Sequence, residues 1–418
     1  MIEEFSLTNI LSIKEKQTLS FEVALKNSEL CRHWVAMPDG TKLLRLACIY
    51  GANASGKTNI LKAYNFFMDF LLNGFATLKP EAPIPVIPFQ FDQETLHQPS
   101  SFEIKFYMDG HRYIYAITMT AEQVTGESLY WYETTQKKLL FDRGANGVVV
   151  WGSSITGNKK QIADITKQNV AVLNVVSKLD HPLLSKVYCY LDHMTVPLIT
   201  RDSASLMQKV LKQIEKNPGS KATLLELLSC ASFTNIEDIM VESTPLPPSS
   251  LSLSSSALLE AMLPRSISAK HRTAQVVHTF NGRRYSLPIS KESEGLRRFI
   301  ELALPLLDIV HNERMLLIDD LGSSFHEELL EYYIDTFLDG EDTSQLLCTT
   351  NMLDLMDSEL VRDDEVWFAD MDSQGSTELN CITNYVDIPK DTSSKKLYKA
   401  GKFGSRPMTK RMVFKQED

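Results

Sequence analysis

The chain has 418 residues, 43% hydrophobic and 23% charged, with a formal net charge of −10, which suits a soluble globular protein of two domains, or of one large domain carrying an insertion. That charge argues against a surface gripping nucleic acid over its whole area, although a local basic groove at 265–272 or in the 395–415 tail stays open. No apolar run reaches the roughly 18 residues of a membrane span, and MIEEFSLTNILSIKEK lacks the basic start and apolar stretch of a signal peptide, so the expectation is a cytoplasmic protein with no membrane partner.

Residues 1–50 predict short strands at 5–7, 17–23 and 43–50, the last, LLRLACIY, apolar enough for a buried central strand. Helical spacing follows over 58–72, through Ile60, Leu61, Tyr64, Phe67 and Leu71, and the four prolines of 78–90 predict an extended connector. FEIKFYM (102–108) and RYIYAIT (112–118) predict a hairpin turning at Asp109-Gly110. From 159 to 231 the pattern is helical, and LPPSSLSLSSS (246–256) reads as a flexible connection. A second hairpin at 276–289 turns at Asn281-Gly282; a helix near 293–309, a strand at 315–318, a helix at 326–337 and a strand at 345–349 follow. The six cysteines (Cys31, Cys48, Cys189, Cys230, Cys348 and Cys381) include no CxxC pair, which predicts buried thiols rather than a disulfide framework or zinc site.

Residues 51–58, GANASGKT, fit GxxxxGK[ST], with Gly51, Gly56, Lys57 and Thr58 in the fixed places. The glycines let successive N–H groups turn toward a phosphate, and the helix that starts there adds its positive end. Lys57 would reach the β- and γ-phosphates of ATP and the Thr58 hydroxyl would bind Mg²⁺. Asn53, Ala54, Ser55 and Asn59 complete the expected contact set. Mg²⁺ also needs a carboxylate at the end of a neighbouring strand, and MLLIDD (315–320) offers Asp319 for the metal and Asp320 as general base toward the attacking water.

With these motifs the chain resembles the ABC/SMC-related "AAA family" ATPases of bacterial abortive-infection systems, the AbiL/RloA type. LTNILSIKEKQTLSF (7–21), CIYGANASGKTNILKA (48–63), SKESEGLRRF (290–299), LLIDDLGSSFH (316–326) and YKAGKFGSRP (398–407) carry the resemblance. It implies an α/β fold, an ABC-type P-loop NTPase head with a mixed sheet and flanking helices, built from 1–155 and 273–418 around an inserted, mainly helical region at 156–272. It also implies that Ser293 and Gly295, in ESEGLRR, contact the γ-phosphate bound by a second copy, that Ser323 and Ser324 lie in the loop crossing the dimer interface ahead of His326, and that Gln90, in PFQFD, reads the metal. One phosphate loop and one signature per chain then require a homodimer or higher homo-oligomer formed on ATP.

The sequence departs from the family pattern at Asp320, where Glu is usual, and at Asn351, where the strand at 346–350 should be followed by a switch histidine; the arginine of the N-terminal motif is absent from Asn9-Ile10-Leu11-Ser12. Binding groups are intact and hydrolytic groups altered, so a slow ATPase is expected, with ATP holding copies together. No further chemistry is legible: His181 and His193 read as surface or core-edge residues, and the acids between 363 and 372 as the polar flanks of a short strand at Trp367 and Phe368 rather than a nuclease cluster. The favoured role is a sensor or scaffold controlling a separate effector, a nuclease or toxin, in anti-phage defence. The alternative is a RecF/SMC-like DNA-maintenance ATPase, disfavoured by the negative charge and the lack of sustained heptads; contact with nucleic acid stays open.

Overall fold

The computed structural model describes residues 1–24, 31–79, 81–133, 135–201, 204–245, 270–340, 343–385 and 392–404. The chain forms two compact units: Met1–Thr200 with Ile309–Ser323 and Tyr333–Asp418, and Arg201–Asp308 with Ser324–Tyr332.

In the first unit β1 (Ile2–Thr8) and β2 (Gln17–Ser20) precede β3 (Trp34–Ala36), β4 (Lys42–Leu44) and β5 (Leu46–Tyr50). The single strand expected at 43–50 is thus two, divided at Arg45, with β4 paired to β3 and β5 in a different sheet. Helix α1 (Lys57–Thr77) follows, then β6 (Ser100–Met108), β7 (His111–Met119), β8 (Val124–Tyr132), β9 (Lys137–Arg143) and β10 (Val149–Trp151). These join β1 and β2 in a seven-stranded antiparallel sheet, β10-β9-β8-β7-β6-β1-β2. Burial alternates along β6 as one covered face demands, and Asp109 and Gly110 take positive φ at the predicted β6–β7 turn. Against this sheet α1 buries Ile60, Leu61, Tyr64, Phe67, Met68 and Leu71, the expected helical stripe. The Phe67 ring stacks on Phe102 at 5.4 Å and Tyr64 meets Phe5 edge-on at 4.9 Å.

Helices α2 (Lys159–Ile165), α3 (Val172–Val176) and α4 (Leu184–Met194) also belong to the first unit. Val172, Leu173, Val175, Val176, Leu184, Val187 and Leu191 are buried in the same core as α1, and Asn174 and Tyr188 donate to the carbonyls of Leu71 and Leu72. This differs from the insertion expected to begin at 156: the apolar face of these helices is used up in the main core.

The second unit holds α5 (Ala204–Lys216), α6 (Pro218–Cys230), β11 (Ile236–Pro245), β12 (Lys270–Phe280), β13 (Arg283–Pro288) and the start of α7 (Glu294–Asn312). Its strands form a three-stranded antiparallel sheet, β11-β12-β13, turning at Asn281-Gly282 as predicted. Helices outweigh strands among the described residues of 156–272, as expected, but the 276–289 hairpin groups with the second unit rather than with the rest of 273–418. The 246–256 connection and the 265–269 and 405–418 parts of the basic stretches lie outside the described residues.

A five-stranded sheet completes the first unit, in the order β14-β15-β5-β16-β17, where β14 is Met315–Ile318, β15 Gln345–Thr349, β16 Val366–Met371 and β17 Thr377–Cys381. The first four are parallel and β17 runs antiparallel to β16. Helix α8 (Glu327–Leu338) lies between β14 and β15 in the chain, and α9 (Ser394–Lys399) follows β17. This strand–loop–helix unit on a parallel sheet is the α/β P-loop NTPase fold, with the phosphate loop at the carboxyl end of its central strand.

Candidate nucleotide site

Strand β5 is buried throughout and ends at Tyr50, so the chain enters 51–56 at the carboxyl edge of the parallel sheet. Two glycines are required there by contact. A Cβ on Gly51 would fall 2.3 Å from the Ala369 carbonyl oxygen, and one on Gly56, where φ is 97°, would fall 1.9 Å from Thr377 Oγ1. Behind the loop a polar chain fixes its path. Thr377 Oγ1 lies 2.7 Å from Ser12 Oγ and donates to the Ser55 carbonyl at 3.0 Å, while Asn59 donates to Ser12 at 2.9 Å. Ser12 comes from the segment after β1 and Thr377 from β17, so the two chain ends brace the loop between them.

In front of the loop lies a cleft of about 430 Å³. Residues Asn53, Ala54, Ser55, Gly56, Lys57, Thr58 and Asn59 line it together with Asp319, Asp320, Thr349 and Asn351. Lys57 is nearly buried and donates to the carbonyls of Gly51 and Ala52 at 2.7 and 2.9 Å. Burial pushes its ammonium below the ordinary lysine value, while the carboxylates of Asp320 and Asp319 pull it back up. Thr58 Oγ1 donates to Asp319 at 2.9 Å, and Thr349 Oγ1 donates to the same carboxylate at 2.7 Å. The Asp320 N–H donates to Thr349, and Asn351 donates to the Asp320 carboxylate at 3.3 Å. The two positions that depart from the family pattern thus meet each other. Asp320 stands at φ 58°, a left-handed conformation that Asp tolerates better than most residues. Hydroxyl and carboxylate oxygens are the hard donor set that Mg²⁺ takes.

Ser293 and Gly295 lie in the second unit. Ser293 Oγ accepts from the Leu296 N–H at the start of α7. Gly295 leaves no room for a side chain, since a Cβ would stand 2.7 Å from the Ser324 carbonyl oxygen. Between them, Glu294 accepts from the Ser324 hydroxyl and from Arg201, which hold its carboxyl below the ordinary range. Ser324 and the signature segment therefore come together, whereas Ser323 counts with the first unit and its hydroxyl is buried. His326 is largely exposed.

Gln90 does not join the cleft. It is exposed and not among the residues lining the cleft, and its amide donates to the Pro88 carbonyl two residues away. The acids of 363–372 also stay apart: Asp364 is forked by Arg362 at 2.8 Å and Glu365 binds His33 at 2.9 Å, both buried, while Asp370 lies within β16 and Asp372 just after it. Three of the six cysteines, Cys31, Cys189 and Cys230, are exposed rather than buried, and all six are free thiols. His181 is buried and caps the turn into α4 through the Leu183 and Leu184 N–H groups; His193 bonds the Asn312 carbonyl.

Residues 46–157 match the family described as "AAA domain, putative AbiEii toxin, Type IV TA system". The match takes in β5, the phosphate loop and α1, so the likeness to AAA-type ATPases holds over this part of the chain. No curated protein matches. Among solved structures, the SMC head domain from Thermotoga maritima is 11% identical with a TM-score of 0.43, covering 91% of this chain and 98% of its own. The SmcHead bound to the C-winged helix domain of ScpA is 12% identical at 0.43, covering 95% and 99%. The Pyrococcus furiosus Smc head with an extended coiled coil, bound to the C-terminal domain of ScpA, is 11% identical at 0.36, covering 97% and 99%. Likeness this distant assigns no residue a role. Among the described residues no helix is long and apolar enough to cross a membrane.

Proposed function

We propose that this chain binds ATP with Mg²⁺ in the 51–59 cleft, hydrolyses it slowly, and uses it to hold copies together as sensor or scaffold in an anti-phage system with a separate effector. The observation that carries the nucleotide assignment is the convergence of Thr58, Asp319 and Thr349 within 2.7–2.9 Å beside Lys57. Two motifs more than 250 residues apart in sequence, each weaker alone, meet at the edge of one sheet.

In this reading the loop N–H groups and Lys57 bind the phosphates, the ammonium leaving the Gly51 and Ala52 carbonyls for the anion. Thr58 and Asp319 would hold Mg²⁺, which supplies neutralisation of charge on the β- and γ-phosphates. Thr349 keeps Asp319 and the Asp320 backbone in fixed relation. Asp320 accepts the proton of the attacking water, with Asn351 holding its carboxylate as a neutral donor that cannot itself relay a proton. Asp is one methylene shorter than Glu, and a misplacement of about 1 Å costs on the order of 10²-fold in rate. Ser293, with the Gly295 N–H, would complete the γ-phosphate contacts of a second copy. The family description over 46–157 supports the defence setting.

Steady-state turnover of the purified chain with Mg²⁺-ATP, together with sedimentation with and without nucleotide, tests the proposal. Turnover well below one per second and nucleotide-dependent pairing are expected; many turnovers per second, or no change of mass on ATP, would contradict it.

A further inference from the structure

The sheet β11-β12-β13 ends on an edge that carries apolar side chains. All six residues of β13 are exposed, and among the described residues no strand lies beyond it. Tyr285 stands across from His278 and Leu287 across from Val276, so both share the face of β12 that also bears Ala274 and Phe280. Ala274, Val276 and His278 are buried on that face, whereas Tyr285, Leu287 and Phe280 remain 50%, 45% and 51% exposed. With Met240 these make four of the ten exposed large hydrophobics among the described residues, gathered in one small sheet.

An open edge with half-exposed apolar residues is a pairing template unless charge, a bulge or a covering element blunts it. Here the blunting is slight. β13 pairs with β12 without a register shift, Arg284 is neutralised by a two-point contact with Glu237, and Pro288 interrupts only the end.

We propose that β13 pairs antiparallel with β13 of a second copy of this chain, about a twofold axis at Ser286. That register is self-complementary. It sets Tyr285 opposite Leu287 of the other copy, and Leu287 opposite its Tyr285, giving two aromatic–aliphatic cross-strand pairs. The small Ser286 side chain meets its equivalent on the axis. The two Arg283 residues stand six positions apart, about 20 Å, and the two Arg284 residues four positions apart, about 13 Å, both beyond the roughly 10 Å screening length at 0.1 M salt. A strand from another protein would satisfy the backbone equally well, but it would have to bring the apolar alternation that a second copy already has. A twofold contact also closes the edge, because each β13 is consumed by one partner. This contact needs no nucleotide and is separate from the ATP-dependent pairing proposed above; the two acting together make assemblies larger than a dimer.

Sedimentation of the full chain without nucleotide, at tens of micromolar, tests the pairing. A dimer is expected for the unsubstituted protein and for Lys57→Ala alike. Tyr285→Lys combined with Leu287→Lys should weaken it by at least about tenfold, leaving a monomer that still takes up ATP. Independently, in a chain whose exposed Cys31, Cys189 and Cys230 are each changed to Ser, adding Ser286→Cys should let a short bis-maleimide join two copies, a link that the same chain with Ser286 retained does not form. A monomeric nucleotide-free protein, a dimer indifferent to the two lysines, or no link through position 286 would each overturn the proposal.

Discussion

Gly56 shows most directly how much of the loop is decided by single atoms. Its backbone is left-handed and the space its Cβ would need is held by Thr377 and Ser12. Gly56→Ala should therefore destabilise the fold by about 1–3 kcal/mol and abolish nucleotide uptake, measurable by thermal melting and calorimetry. Thr377→Val keeps the shape but removes the hydroxyl that binds both Ser12 and the Ser55 carbonyl. We expect a loss of about 1–3 kcal/mol in stability with weakened ATP affinity, while unaltered affinity would show that the loop holds its path unaided. On the opposite wall, Asp320→Glu with Asn351→His should raise turnover by about 10- to 100-fold with ATP affinity nearly unchanged. Thr377 was not legible in the sequence: no local pattern marks it, and only the pairing of β17 beside β16 carries it under a loop more than 300 residues earlier. Thr349 was legible only as the end of an apolar strand. Nothing in the sequence around Gln90 separates a metal-reading glutamine from one bonded locally, as it is here to the Pro88 carbonyl.

Among the elements, those with strong periodicity and explicit stops were legible: α1, the hairpins at 109–110 and 281–282, and the strands β14 and β15. Strands β8 to β10 were not, because polar residues and Gly126 interrupt their alternation and β8 shifts register against both neighbours. What holds β8 in place is partly polar. Glu127 is fully buried, accepts from Tyr115 and from the Val172 and Leu173 N–H groups at the start of α3, and faces Arg143. Burial raises its carboxyl above the ordinary value, against the lowering pull of Arg143. A carboxyl whose folded-state pKa lies above its unfolded value contributes stability that is full below the unfolded value and lost as pH rises through the folded one. The stability difference between the natural chain and Glu127→Gln should accordingly shrink from mild acid to neutral pH in paired denaturant titrations. A difference that grew over that range would reverse the account.

For the whole molecule, the sequence carried the fold class but not the division of the chain. The helices from 159 to 194 look like an insertion when read by period alone, yet their apolar faces are spent on the core around α1, and the signature segment instead groups with the three-stranded sheet. Pairing on ATP belongs to this scale too. Ser293→Arg, placing a bulky cation at the exposed start of α7, should leave ATP uptake intact and remove nucleotide-dependent association in sedimentation.

The central claim is that triphosphate and Mg²⁺ are held between Lys57 and the Thr58–Asp319 pair. Calorimetric titration of the folded protein with Mg²⁺-ATP, set beside the same titration of Lys57→Ala, tests it most directly. Saturable uptake by the natural chain and its loss in the variant are predicted; no uptake by the natural chain, or equal uptake by both, would contradict the account.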